Sequence, residues 1–271
     1  MTKTIKTFLL VLFATFIGSN LVNAQEYYKI EVTNNDVESF RKLHIKPQLE
    51  FFIPAGEYSS PLPTNFNIDA QLWYGTLLDA RAGLKLGSMT GISLGGTFHL
   101  KDRITDKPYK FVLSRSTSNN GKTETVKFIK KPLKARVISG PCADIFIGNL
   151  KGGGFNAQLA FGLDFQRMSR ATAKPEGWNN PIDGSSNGWY SLKLQAVVQS
   201  LTAESDVINY KPVIGGREMG FGAQADLNGA IKPWNKSTLY AGLTMGAIKV
   251  TGPTGSIKPI LSIRLGMAFC K

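Results

Sequence analysis

The feature that most constrains this chain is a period of two, repeated in segments about as long as a bilayer needs. Phe155, Ala157, Leu159, Phe161, Leu163 and Phe165 alternate with Asn156, Gln158, Ala160, Gly162, Asp164 and Gln166. In an extended strand successive side chains point to opposite faces, so this segment carries one apolar face and one polar or small face. The same pattern recurs. Leu43, Ile45, Pro47, Leu49, Phe51 and Ile53 oppose Lys42, His44, Lys46, Gln48 and Glu50, and Phe66, Ile68, Ala70, Leu72 and Tyr74 oppose Asn67, Asp69, Gln71 and Trp73. Leu78 to Leu86 and Ile92 to Leu100 repeat it, and Tyr190–Ser200, Phe221–Ile231, Leu239–Ala247 and Ile257–Phe269 are four further strand candidates. Lys232 to Lys236 and Thr251 to Gly255 read as turns by composition. Helical periodicity is nowhere of comparable strength, so the chain is expected to be all-β and antiparallel, with 8 to 12 strands.

Two architectures fit such a pattern, a soluble sandwich or barrel and a transmembrane β-barrel, and they differ in which face looks inward. Three features favour the membrane barrel. The segments approach the ~9–11 residues of a tilted spanning strand rather than the 5–6 common in sandwiches. Aromatics stand toward strand ends, at Phe51, Phe52, Trp73, Tyr74, Trp189, Tyr190, Trp234 and Phe269, where a ring can lie at headgroup depth. Charges fall mid-strand on the non-apolar face, at Asp69, Asp79, Arg81, Lys85, Asp164, Lys193, Asp226 and Arg264, and are expected to pair across a polar, partly plugged lumen. Glycines share that face at Gly83, Gly95, Gly162, Gly220, Gly222, Gly242, Gly246 and Gly266, where they would relieve crowding.

Residues 1–24 read as an export signal, with Lys3 and Lys6 before an apolar run from Phe8 to Ile17 and Val22-Asn23-Ala24 as a cleavage pattern. Residues 25–40 are expected to form an N-terminal periplasmic segment and 41–271 the barrel. Removing the signal lowers the formal charge from +13 to +11. Such a chain resembles the small outer-membrane β-barrel proteins of Bacteroidota-type bacteria. The resemblance rests on pattern over residues 40–271, implies an outer-membrane location and carries no functional residue with it. Some members of that group are parts of cell-surface and secretion assemblies.

Most of the charge sits between residues 101 and 136. Lys101, Arg103, Lys107, Lys110, Arg115, Lys122, Lys127, Lys130, Lys131, Lys134 and Arg136 against Asp102, Asp106 and Glu124 give 11 − 3 = +8. A basic hairpin insertion is expected here, with Tyr109–Ser114 and Thr125–Ile129 as arms and Ser118 to Gly121 as its tip, since Asn-Gly suits a type I′ turn. It could serve as a dock for lipopolysaccharide phosphates or an acidic protein surface, or simply be a solvated loop. Nucleic acid does not fit the exported location.

Catalysis finds little support. His44 and His99 lie on separate strands without a nucleophile motif, no His, Cys, Asp and Glu cluster has metal-ligand spacing, and Gly152-Gly153-Gly154 lacks the Lys-Ser or Lys-Thr of a phosphate loop. No cofactor is implied. Cys142 and Cys270 are the two thiols, and an exported pair invites a disulfide, worth about 4–5 kcal/mol by loop closure if geometry allows. The expected function is a non-enzymatic structural or accessory subunit of a surface or secretion-type complex, in contact with outer-membrane lipid, lipopolysaccharide and other surface proteins. The alternatives are a narrow pore or small-ligand barrel and, third, a lipid-modifying enzyme.

Overall fold

The computed structural model describes residues 30–34, 42–52, 64–74, 76–117, 124–150, 154–183, 187–202, 218–231, 235–251 and 257–271. The export signal, Trp234 and the expected hairpin tip at 118–121 lie outside these residues. Among the described residues there are strands and no helix: β1 (Ile30–Asn34), β2 (Leu43–Phe52), β3 (Thr64–Tyr74), β4 (Leu78–Gly87), β5 (Met89–Phe98), β6 (Lys101–Thr117), β7 (Glu124–Leu150), β8 (Phe155–Ser169), β9 (Ala171–Pro175), β10 (Ile182–Asp183), β11 (Gly188–Thr202), β12 (Glu218–Ala230), β13 (Ser237–Thr251) and β14 (Ile257–Cys270). All pairings are antiparallel.

Ten of these strands close into a ring in the order β5-β4-β3-β2-β14-β13-β12-β11-β8-β7, completed by pairing of β5 with β7. A closed ring leaves no sheet edge in the wall, so its backbone groups find partners on both neighbouring strands. The tightest turn joins β4 to β5 through Gly87, whose φ of 138° places it where a side chain is strained and where a Cβ would meet the carbonyl of Thr64.

The wall is inside out by the standard of a soluble protein. On β2, His44, Lys46, Gln48 and Glu50 are buried, while Ile45 and Leu49 are 42% and 46% exposed. β3 repeats this, with Asn65, Asn67 and Gln71 inside and Phe66, Ile68 and Leu72 outside. Ile92, Leu94, Phe161, Leu163, Leu194, Phe221 and Leu265 continue the outer apolar belt round the ring. A continuous apolar surface of this kind is stable only against lipid, and many polar groups of the interior pair with one another. The fold is therefore an antiparallel transmembrane barrel with a polar, partly plugged lumen.

The basic segment forms a strand pair continuous with the wall. β7 runs for 27 residues, and its two halves have different partners: 142–150 pair with β5 in the barrel wall, and 124–139 pair with β6 beyond it. The hairpin is thus an outward continuation of the wall, much longer than the arms expected from sequence. Lysines in the first half hide a period of two that continues through Cys142, Asp144, Phe146 and Gly148. A smaller sheet of β1, β9 and β10 packs on the hairpin, burying Tyr109 and Phe111 against Ala171 and Ala173, with Leu133 and Ile182 beside them. This cap stands at the rim where the wall begins and ends, since Leu43 N–H donates to the Lys271 carbonyl and Lys271 N–H to that of Leu43.

Two expectations are corrected by the ring. Cys142 and Cys270 are free thiols, both buried. They stand on β7 and β14, separated by β5, β4, β3 and β2 on one side and by β8, β11, β12 and β13 on the other. Half a circumference between them prevents a bridge. The aromatic girdle is also smaller than expected: Tyr74, Tyr190 and Phe269 face outward, but Trp73 and Trp189 are buried in the lumen.

Candidate functional site

Among the described residues many polar groups converge away from water in the lumen, and period-two alternation is what puts them there. The mid-strand charges Asp69, Asp79, Arg81, Lys85, Asp164, Lys193, Asp226 and Arg264 all stand on the lumen face. Lys46, Glu50 and Asp144 join them; Asp144 was missed because the pattern through β7 begins within the lysine-rich stretch.

At the rim beside the cap the lumen is stopped. Trp73 on β3 and Trp189 on β11 meet edge to face, with ring centroids 5.8 Å apart, although β4, β5, β7 and β8 separate them along the wall. Gln166 of β8 holds both: its Oε1 accepts the indole N–H of Trp73 at 3.3 Å and that of Trp189 at 3.1 Å. Its Nε2 donates to Asp79 at 2.5 Å and to Asp164 at 2.9 Å. Asp164 also accepts from Thr97 and Ser191, each at 2.8 Å, and Arg81 donates to Asp79 at 2.6 Å. Tyr240 stacks on Trp189, and Lys46 lies over the Tyr240 ring while donating to Gln71 at 2.8 Å. Strands β2, β3, β4, β5, β8, β11 and β13 thus each send a side chain into this stopper or just above it.

Above the stopper the lumen opens into a cavity of about 230 Å³, reaching from Trp189 and Tyr240 to Met89 and Asn156 near the opposite rim. Most of its charges are paired in place. Lys193 and Arg81 donate to Asp144 at 3.0 and 3.1 Å, and Arg264 bonds Asp226, which also accepts from Thr244 at 2.8 Å. Lys85 donates to Glu50 at 2.6 Å, with its ammonium 5.4 Å from the Phe52 ring and 5.3 Å from that of Phe146. One stretch of the inner wall is apolar, where Ala160, Val197 and Ile248 pack together with Ile260. Glycine makes the charged rows possible. A Cβ on Gly83 would overlap Asp69 Oδ1, and one on Gly95 would overlap Asp144 Oδ1, so each carboxylate lies across a neighbouring strand only because that strand has no side chain there.

The histidines belong to the stopper. His44 packs edge-on against Trp73 at 4.6 Å, and His99 Nε2 lies 3.5 Å from Asp79. Both are enclosed in the lumen, away from the outer face that lipid would meet. Among the described residues no cluster of His, Cys, Asp and Glu has metal-ligand geometry.

The basic residues are divided by the pleat rather than gathered into one dock. Lys110, Lys130 and Lys134 share a face with Asp106, and Lys110 and Lys130 lie directly opposite each other with Phe128 beside both. Lys101, Arg103, Lys107 and Lys131 occupy the other face. Arg136 is committed to a two-pronged ion pair with Asp102, at 2.8 and 2.5 Å. Lys127 lies further out on β7; Lys122 and the side chain of Arg115 fall outside the described residues.

No family model matches the chain, and no curated protein matches it. Among solved structures, the outer membrane channel DcaP of Acinetobacter baumannii is 9% identical, with 93% of this chain and 99% of that one covered and a TM-score of 0.24. OmpT, an outer membrane protein of Vibrio cholerae, is 7% identical over 93% and 99%, with a TM-score of 0.21. An anion-selective porin from Comamonas acidovorans is 10% identical over 90% and 100%, with a TM-score of 0.20. Likeness at this level says nothing of what enters this lumen.

Proposed function

We propose that this chain is an outer-membrane barrel of the narrow-pore or small-ligand kind, held shut, whose lumen admits a small polar solute as far as the stopper. The observation that carries the reading is the contact of Trp73 with Trp189 across the lumen, below a cavity lined by paired charges. At about 230 Å³ the cavity is smaller than the ~300–1,000 Å³ usual for drug-sized ligands, which limits an occupant to the size of a single amino acid or sugar. Because Arg81, Lys85, Lys193 and Arg264 already have carboxylate partners, an uncharged or zwitterionic solute costs less to bind than an ion, whose charge would break a pair. The export signal read in residues 1–24 and the lipid-facing wall together support the outer membrane as the site of action.

Trp189 and Tyr240 form the cavity floor, so occupancy should alter the emission of Trp189. Titration of the purified barrel with a panel of amino acids, pentoses and hexoses is expected to give at least one saturable change in emission that is absent from Trp189→Phe. A flat response to the whole panel would count against solute binding.

A second reading, an accessory subunit of a cell-surface or secretion-type complex, is favoured by the cap of β1, β6, β9, β10 and the outer half of β7. A two-sheet body beyond the wall offers surface that a simple pore does not need. Native copurification in mild detergent is expected to bring down a stoichiometric partner on this reading, and a barrel that runs alone in every extract would set it aside.

A further inference from the structure

Two charged side chains on the cavity wall stand outside its ion pairs. Nine charged residues line the lumen cavity, and seven of them belong to the pairs of Arg81 and Lys193 with Asp144, Lys85 with Glu50, and Arg264 with Asp226. The other two are Lys46 of β2 and Asp69 of β3. Among the described residues neither lies within ion-pair distance of an opposite charge; Lys46 donates to Gln71, and Asp69 accepts from Gln48.

Both keep bonding capacity toward the cavity. The Lys46 ammonium has three N–H donors. One goes to Gln71 Oε1 at 2.8 Å, and its other neighbours are ring faces, with the centres of Tyr240 and Trp189 at 4.8 and 5.3 Å. A ring face attracts the cation but does not take its N–H groups as a carboxylate does. Gln71, Tyr240 and Trp189 all line the cavity, so the charged end of Lys46 stands at the cavity floor. On half-buried Asp69 the Gln48 amide bonds Oδ2, while Oδ1 lies over Gly83, whose missing side chain leaves it room.

The register sets the two side by side. Lys46 and Asp69 are direct partners in the β2–β3 ladder, where facing Cβ atoms are about 4.5–5.5 Å apart. Opposite charges held this close without being joined fit a ligand that carries both signs a short distance apart. An α-amino acid does so, with carboxylate and ammonium on one carbon. A sugar would leave both protein charges uncompensated, and a simple ion would compensate one. We propose that Lys46 and Asp69 bind the zwitterion of a free α-amino acid at the cavity floor, Lys46 taking the carboxylate and Asp69 the ammonium. Its side chain is left to the rest of the cavity, whose wall includes the apolar Ala160 and Ile260. The proposal rests on the reading that the lumen admits a small solute, and narrows that solute to one class.

The test is calorimetric titration of the purified full-length barrel in neutral detergent with alanine, valine and leucine, with the methyl ester and the N-acetyl derivative of each, and with ribose and glucose. At least one free amino acid is expected to bind about tenfold more tightly than its ester, which lacks the carboxylate charge, and than its N-acetyl derivative, which lacks the ammonium. In Lys46→Gln the advantage over the ester should largely disappear while that over the N-acetyl derivative persists. Asp69→Asn should do the reverse. A merely structural role for either residue would weaken all three ligands alike. Binding of the ester or the N-acetyl derivative as tight as that of the parent acid, or an equal loss for all three in both variants, overturns the zwitterion site. Saturable binding of a sugar with no response to any amino acid also overturns it but leaves the lumen reading standing, whereas silence to every ligand overturns both. Should one variant lose the gel mobility of a folded barrel, the wild-type ranking and the other variant decide.

Discussion

Trp73 and Trp189 stand on strands half a circumference apart, yet their rings touch, and one glutamine accepts a hydrogen bond from each. In a ten-strand wall that contact decides between a tube and a cup. The strands are long enough to span, and the lumen side chains nearest the cap are large enough to meet in the middle. Gln166 is the hinge pin of the arrangement, since it ties the aromatic pair to Asp79 and Asp164.

Replacing Gln166 by Leu keeps the volume but removes the acceptor of two indole N–H groups and a donor to two carboxylates. The loss is expected to cost about 1–3 kcal/mol. Urea unfolding of the barrel in lipid vesicles, followed by tryptophan emission, measures it; an unchanged midpoint would mean that water replaces the amide at no cost.

Leu94 lies midway along β5 and is 57% exposed on the outer belt. Leu94→Arg should cost about 2–4 kcal/mol in a bilayer, the range for a cation near the midplane. In a soluble fold the same exposed position would tolerate arginine within about 0.5 kcal/mol. Vesicle unfolding therefore separates the two architectures at one residue.

Gly95→Ala puts a methyl group where Asp144 Oδ1 lies, with the Ala143 carbonyl 2.8 Å away. Asp144 would have to leave Arg81 and Lys193. A destabilisation of about 1–3 kcal/mol is expected, as for overpacking of a closed interior. Wild-type stability in the vesicle assay would show that the carboxylate has another place to go.

Cys142 and Cys270 are expected to be free in the exported protein. Alkylation of denatured protein without reductant should add mass for both thiols in a single chain. A chain that takes up no reagent until reduced would contradict the positions of β7 and β14.

Much of this fold is legible in the alternation alone. Phe155 to Gln166 and Leu43 to Glu50 each state, residue by residue, which side chain meets lipid and which the lumen, and the glycines at Gly83 and Gly95 mark where a neighbouring carboxylate needs room. The same parity places Trp73 opposite Leu72 and Trp189 opposite Tyr190, hence inside. Reading these tryptophans by chemical type, as headgroup anchors, overrode their position. What no pattern shows is distance across the ring. That Trp73 reaches Trp189, or that Cys142 cannot reach Cys270, depends on strand order and closure, which join residues far apart in sequence. β7 was obscured for a different reason: lysines fill both faces of its outer half, so the period of two loses its hydrophobic signature where the strand leaves the membrane.

The Trp73–Trp189 contact closes the lumen, and single-channel recording in planar bilayers reads that closure. The wild-type barrel is expected to show no steady current, and the double variant Trp73→Ala, Trp189→Ala to conduct as a narrow pore. Steady current through the wild type, or a double variant that folds and stays silent, would contradict it.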